Sequence, residues 1–182
     1  MDAGAAAQSR PWLALGQEIV GVLEKVDPEA FFRVVRAFDD RRRRWFFSGQ
    51  GRSGLAASMA GMRAMHLGRT VHVVGEASAP SIRAGDGLLM VSGSGETPVS
   101  VSFARIAKAE RAMLIVVTRQ RESVLANLAD EVLHVPVASS AQFGGSLFEQ
   151  CSLILLDGVM FELGRQVPEA QKGMAHRHTN LQ

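Results

Sequence analysis

Five short apolar stretches, continuous rather than alternating with polar residues, set the strongest limit on how this chain folds. They are Trp45-Phe46-Phe47-Ser48, Val71-His72-Val73-Val74, Gly87-Leu88-Leu89-Met90-Val91, Met113-Leu114-Ile115-Val116-Val117-Thr118 and Val132-Leu133-His134-Val135. A strand that is apolar on both faces must be covered on both faces. Helical patterns fall between the stretches, from about Leu55 to Leu67, from Pro98 to about Ala109, briefly near Leu125, and from about Gly145 to Val167. Strands alternating with helices imply parallel pairing and right-handed crossovers. The sequence therefore predicts an α/β fold, a three-layer doubly wound five-stranded parallel sheet flanked by helices. Ligands of such sheets bind where the carboxyl ends of strands meet the amino ends of helices.

Two helices precede the sheet. The first runs from Pro11 to Val26 with Leu15, Ile19, Val22, Leu23 and Val26 on one side; Asp27-Pro28 breaks it and starts the second, with Phe31, Phe32, Val35 and Phe38 facing inward. Neither carries obvious chemistry. The 182 residues read as one domain, with amino-terminal helices at 11–40, a sheet core at 44–167 and a polar tail at 168–182 that bears His176, Arg177 and His178.

Charge and composition narrow the partners. Twenty basic residues against 18 acidic leave a net charge of +2, which argues against a polyanion-binding surface. The run Arg41-Arg42-Arg43-Arg44 reads as a solvated turn before a buried strand, and with Tyr absent and nine Phe suited to the core, no nucleic-acid partner is expected. The single Cys151 permits no intrachain disulfide, falls on an apolar helical pattern as a core thiol, and fits a reducing compartment. The Ala-rich first ten residues lack the basic and apolar regions of a signal peptide, and no apolar run reaches the length of a membrane span. A cytoplasmic protein with no membrane partner is the expectation.

Two strand-to-helix loops combine glycine with hydroxyl residues. In Ser92-Gly93-Ser94-Gly95-Glu96-Thr97 the glycines let backbone N–H groups approach a ligand, the serines and Thr97 add hydroxyls, and Pro98 suits the first helical position with Thr97 as its cap. The start of a helix attracts anions, so this loop reads as a phosphate cradle rather than a mere cap. No Walker lysine follows, which sets nucleoside triphosphate hydrolysis aside. The other loop, Gly49-Gln50-Gly51-Arg52-Ser53-Gly54, spells G-x-G-x-x-G with Glu76 beyond the next strand, a pattern also found in dinucleotide-binding proteins. Arg52 and Ser53 suit a phosphate or a sugar hydroxyl, and no catalytic domain accompanies a nucleotide-binding one. A sugar phosphate ranks above a nicotinamide.

These motifs resemble the sugar isomerase (SIS) domain family and, within it, the 6-phospho-3-hexuloisomerase family. The matching pieces are Ser48-Gly49-Gln50-Gly51-Arg52-Ser53-Gly54, Met65-His66-Leu67-Gly68, Val73-Val74-Gly75-Glu76, Gly85-Asp86, Ser92-Gly93-Ser94-Gly95-Glu96-Thr97, Gly145-Ser146-Leu147-Phe148-Glu149-Gln150 and Arg177-His178-Thr179-Asn180-Leu181. They run in order through nearly the whole chain. The resemblance implies isomerisation of 3-hexulose 6-phosphate to fructose 6-phosphate in formaldehyde assimilation by the ribulose monophosphate route, and a dimer or tetramer with active sites near subunit interfaces. By position it implies that Ser92, Gly93, Ser94, Gly95, Glu96 and Thr97 hold the phosphate and that Ser48, Gly49, Arg52 and Ser53 line the other side of the sugar. It makes Glu149 the proton acceptor. Gln182 stands where the family carries an acidic residue.

Moving a carbonyl from C3 to C2 needs removal of the C2 proton, an enediolate, and return of a proton to C3, which one carboxylate on one face can do. Glu149 falls beside the apolar stripe of its helix, where it can face a cleft; by placement alone it equally complements the helix dipole. The enediolate needs electrophilic support, for which His178 stands first and His66 and Arg52 are alternatives. His66 ends a helix, where the dipole favours its charged form; His72 and His134 read as packing residues. A 3-ketose phosphorylated at O6 has no oxygen placed to close an ordinary ring, so no ring-opening acid is called for. No H-E-x-x-H, C-x-x-C or acidic cluster is present, so neither a metal nor a cofactor is expected. The alternatives are another SIS-domain isomerase, such as one for arabinose 5-phosphate, and a non-catalytic sugar-phosphate-binding regulator.

Overall fold

The computed structural model describes residues 10–181. Residues 1–9, which carry most of the signal-peptide reading, and Gln182 lie outside them. The elements are α1 (Pro11–Leu23), α2 (Pro28–Ala37), β1 (Trp45–Gly49), α3 (Arg52–His66), β2 (Val71–Val73), β3 (Gly87–Val91), α4 (Pro98–Ala109), β4 (Met113–Thr118), α5 (Val124–Leu128), β5 (Glu131–His134), α6 (Ser146–Arg165) and α7 (Ala170–Arg177). The strands form one parallel sheet in the order β2-β1-β3-β4-β5. This is the expected doubly wound three-layer fold.

The period of two along each strand divides the core. Trp45, Phe47, Leu89, Val91, Ile115 and Val117 point to the face covered by α3, α6 and α2. Phe46, Leu88, Met90, Leu114 and Val116 point to the other, beneath α4 and α5. Helix α3 approaches β1 closely because its inner side is Ala56, Ala57, Ala60, Gly61 and Ala64. A Cβ at Gly61 would lie 3.2 Å from the Phe47 ring.

Several boundaries and contacts depart from the sequence reading. α1 stops at Leu23, three residues short of Val26. On α2 the inward positions are Phe31, Val34, Val35 and Phe38, the proper i, i+3, i+4, i+7 set, which leaves Phe32 43% exposed. Asp27 caps α2 through a hydrogen bond from the Glu29 amide at 2.9 Å. The arginine run is solvated only at Arg41 and Arg42. Arg44 donates from Nε and Nη2 to the buried Asp86 carboxylate at 2.9 and 2.7 Å, and Arg43 lies over the Trp45 ring. The polar tail contains a helix, α7, held to α3 by Arg177, whose Nη1 donates to the His66 carbonyl at 3.1 Å.

Cys151 is a core thiol as expected, and burial pushes its pKa up to about 11. Among the described residues no helix is long and apolar enough to cross a membrane.

Trp45 and Gly87 sit side by side in the register of β1 and β3. Trp45 is fully buried and stacked on Phe38 with centroids 4.0 Å apart, and a Cβ at Gly87 would fall 2.4 Å from its ring. Gly87→Ala therefore forces the ring off its stacking partner. It is expected to lower stability by about 1–3 kcal/mol, read as a lower urea midpoint at unchanged slope. An unchanged midpoint would mean that the ring shifts without cost.

Candidate active site

Because β1 lies between β2 and β3, the chain leaves β1 toward one face and leaves β3 toward the other. In a doubly wound sheet the ligand crevice falls at such a reversal of strand order, which here lies above Gly49 and Val91, paired at the ends of their strands. Both glycine loops begin there.

The first loop is shaped by contacts of backbone on backbone. A Cβ on Gly49 would lie 2.7 Å from the Gly54 nitrogen, and one on Gly54 would lie 2.7 Å from the Gly49 carbonyl oxygen. Gly51 adopts φ +57°. The amides of Gly54 and Leu55 both bond to the Gly51 carbonyl, so α3 starts at Arg52, earlier than the periodicity suggested. Ser48 is buried at the end of β1, and Arg52 and Ser53 open α3.

The second loop is organised by its own side chains. The Ser92 hydroxyl, buried, accepts from the Gly95 amide at 3.2 Å, and the exposed Ser94 hydroxyl accepts from the Glu96 amide at 3.2 Å. Thr118 Oγ1 donates to the Gly93 carbonyl at 3.4 Å. Gly95 has φ +68°, and a Cβ there would lie 2.1 Å from Ser123 Oγ. Thr97 occupies the cap position of α4, as expected, but makes no capping bond with its side chain; its hydroxyl lies 3.5 Å from Ser94 Oγ. The Glu96 carboxylate accepts from the Val124 amide at 2.7 Å, at the start of α5.

The amino end of α6 lies beside both loops. Gly93 packs against the Phe148 ring, at 3.2 Å from a built Cβ. The next residue, Glu149, forms an ion pair with Arg52 Nε. Glu149 is 16% exposed at its side chain and Arg52 62%, so the carboxylate is recessed behind a guanidinium open to solvent. The structure thus brings together Ser48, Gly49, Arg52 and Ser53, the 92–97 loop and Glu149.

It does not bring His178 to them within one chain. His178 follows α7, and its ring stacks on that of His66 with centroids 5.4 Å apart. His66 ends α3, whereas Arg52 begins it. Fourteen residue steps of helix put the two ends about 21 Å apart. Nor is His66 biased toward its charged form. It is buried, and burial first, then His178 and Arg63, lower its pKa from the ordinary histidine value. His134 is shifted the same way by burial and Arg121, and its Nε2 lies 3.1 Å from the Arg119 carbonyl oxygen. His72 packs beside the Phe46 ring. Among the described residues no group of three or more His, Cys, Asp or Glu is placed to hold a metal ion.

One polar cluster has no counterpart in the sequence reading. Glu18 on α1 accepts hydrogen bonds from Ser140, Ala141 and Gln142, just ahead of α6. A lone glutamate on an outer helix gives no sequence signal for such a role.

A twisted parallel sheet with a hydroxyl–glycine loop on each side of its switch point defines the class, and residues 40–161 match the SIS domain: the chain belongs to the SIS domain family. Its relatives are narrower in name. It is 39% identical over 173 residues to the 3-hexulose-6-phosphate isomerase of Mycobacterium gastri, covering 91% of this chain and 86% of that one. It is 35% identical over 150 residues to the 3-hexulose-6-phosphate isomerase of Methylomonas aminofaciens, covering 79% and 83%. Among solved structures it superposes with a TM-score of 0.84 on a Methanococcus jannaschii protein whose crystal structure infers a molecular function of 3-hexulose-6-phosphate isomerase. That protein is 27% identical, with 96% of this chain and 100% of that one covered.

The lowered pKa of His66 has a sign that can be tested. The folded state resists protonation more than the unfolded chain does, so this contribution is intact above about pH 6.5 and is lost as pH falls through the lowered folded value. His66→Gln should flatten the decline of thermal stability between about pH 7 and pH 5. A decline as steep as that of the wild type would assign it to other groups, His134 first.

Proposed function

We propose that this chain is a phosphosugar isomerase that converts 3-hexulose 6-phosphate to fructose 6-phosphate without metal or cofactor, acting as a single domain in the cytoplasm after a formaldehyde-fixing synthase. The observation that carries the reading is the position of Glu149. It is recessed, paired with Arg52, and flanked by the loops that follow β1 and β3.

The 6-phosphate is held at the start of α4 by the backbone of residues 92–97 and the hydroxyls of Ser94 and Thr97. The helix dipole and charge-assisted hydrogen bonds favour the anion there. The sugar lies across the crevice toward Ser48, Gly49 and Ser53. Arg52 exchanges part of its interaction with Glu149 for the substrate's oxygens. Glu149 takes the C2 proton and the electrons move to form the 2,3-enediolate with its charge on O3; a proton then passes from the C2 hydroxyl to O3, and the protonated Glu149 returns a proton to C3 as the carbonyl forms at C2. Arg52 and a histidine stabilise the negative oxygen.

That histidine is His178 of the partner subunit. The outer side of α3 presents Leu55, Met59 and Met62 at 66%, 50% and 56% exposure, an i, i+4, i+7 stripe that suits burial against a second copy. A two-fold axis across this stripe runs the two α3 helices antiparallel. Each His178 end then meets the other chain's Arg52–Glu149 end, which spans the separation present within one chain.

The first test supplies 3-hexulose 6-phosphate in situ from formaldehyde and ribulose 5-phosphate, with EDTA present, and follows fructose 6-phosphate. Wild type should form product, and Glu149→Gln should lose at least about a thousandfold in kcat while still binding phosphate ligands. No product from folded wild type would shift the reading to another SIS-domain isomerase or to a sugar-phosphate-binding regulator.

The second test mixes two inactive variants, Glu149→Gln and His178→Ala. After re-association, hybrid dimers carry one intact composite site, so activity should return to about a quarter of wild type for random pairing. No recovery on mixing would place both groups in one subunit or remove His178 from the site.

A further inference from the structure

The connection from β5 to α6 sets where Glu149 stands, and its polar anchor lies on an outer helix. Glu18 Oε1 accepts from the Ala141 amide at 2.8 Å. Its Oε2 accepts from Ser140 Oγ at 3.0 Å and from Gln142 Nε2 at 3.1 Å. The same Gln142 amide group donates its second hydrogen to Gln150 Oε1 at 3.0 Å, and the Gln142 backbone amide bonds to Ser140 Oγ at 3.0 Å. One carboxylate thus gathers three donors from three consecutive residues, and the relay ends on α6 beside Glu149.

We propose that Glu18 is a positioning residue for Glu149: through Ser140, Ala141, Gln142 and Gln150 it fixes the entry of α6 and so the aim of the Glu149 carboxylate into the crevice. The inference rests on Glu149 being the proton acceptor. The donor set suits a group at position 18 that can accept all three bonds at once. An ionised carboxylate has lone pairs for all three donors, and charge-assisted bonds are the strong ones. The donors, with the Ala141 amide first, hold the Glu18 carboxyl below the usual carboxylate range, so it stays ionised at neutral pH. Gly144 and Gly145 follow the anchored segment, and Gly144 has φ +62°. Glycines do not stiffen a connection, so the constraint comes from side chains. α1 itself buries only Val22, so loss of the anchor leaves the sheet core in place.

A base displaced by about 1 Å loses on the order of a hundredfold in rate, because proton transfer needs hydrogen-bond reach. Steady-state kinetics from fructose 6-phosphate in the reverse direction, coupled to the synthase, supply the test. Glu18→Ala should lower kcat about ten- to a hundredfold with KM within about threefold of wild type, since the phosphate loop is untouched. Glu18→Gln keeps the length and one acceptor oxygen, and the Ser140 hydroxyl and Gln142 amide can turn to meet its NH2 group. It should recover most of the loss. Hydrogen exchange of the amides at 140–146 should accelerate in Glu18→Ala, while that at 88–97 stays as in wild type.

A kcat for Glu18→Ala within about twofold of wild type, while Glu149→Gln is inactive, would overturn the inference. So would accelerated exchange throughout the sheet, which would make Glu18 a stability residue only. Failure of the base assignment looks different: Glu149→Gln would then turn over normally whatever Glu18 does.

Discussion

The pairing of β1 with β3 is the constraint on which the site depends. Five consecutive residues of each strand are matched, from Trp45 opposite Gly87 to Gly49 opposite Val91. Both strands are buried on both faces apart from Gly49, so neither has room for a polar side chain until its last residues. The register ends them at the same level. Two loops of different sequence therefore start side by side, and their helices leave to opposite faces of the sheet. A slip of one residue would exchange the two cores, because inward and outward side chains alternate. The register sets the two loops side by side, and the glycine turns then shape each of them.

What the sequence made legible follows from how local each signal is. Strand burial is written in continuous apolar runs, and both glycine loops are short enough for their backbone needs to show as Gly49, Gly51, Gly54 and Gly95. The α/β fold could be read from these alone. Glu149 was different: its position on a helix was legible, but the approach of Arg52, nearly a hundred residues away in sequence, was not. The exchange of Phe32 for Val34 on α2 came from reading apolar character before helical spacing. The side-chain partners of Thr97 and Glu96 were not legible for a related reason. A hydroxyl at a cap position and an acid in a loop have conventional uses, and only tertiary placement shows that the Glu96 carboxylate serves the Val124 amide instead. α7 was missed because it is short and none of its residues is buried, and its anchoring depends on Arg177 reaching the end of α3.

Helix α3 joins the two poles of the molecule. At its start are the backbone turn and Arg52, and at its end His66 stacks on His178. Its inner side is small so that it can lie on β1, and its outer side is apolar without a cover in one chain. One element thus carries the crevice's cation, the contact with the sheet and the stripe suited to a second copy. Electrostatics differ at the two ends. The carboxylate at one end has a cationic neighbour, while the imidazole at the other is buried beside another imidazole and Arg63, which disfavours its protonated form.

The edges of the sheet carry a consequence for how copies meet. β2 has only three residues and β5 four, and Glu131 on β5 is paired with Arg33 from α2. Edges this short, with an ion pair on the β5 side, offer little template for a foreign strand to extend the sheet. Concentrated protein, including chains newly made and still folding, is thereby steered away from the strand-to-strand stacking by which sheets grow without limit.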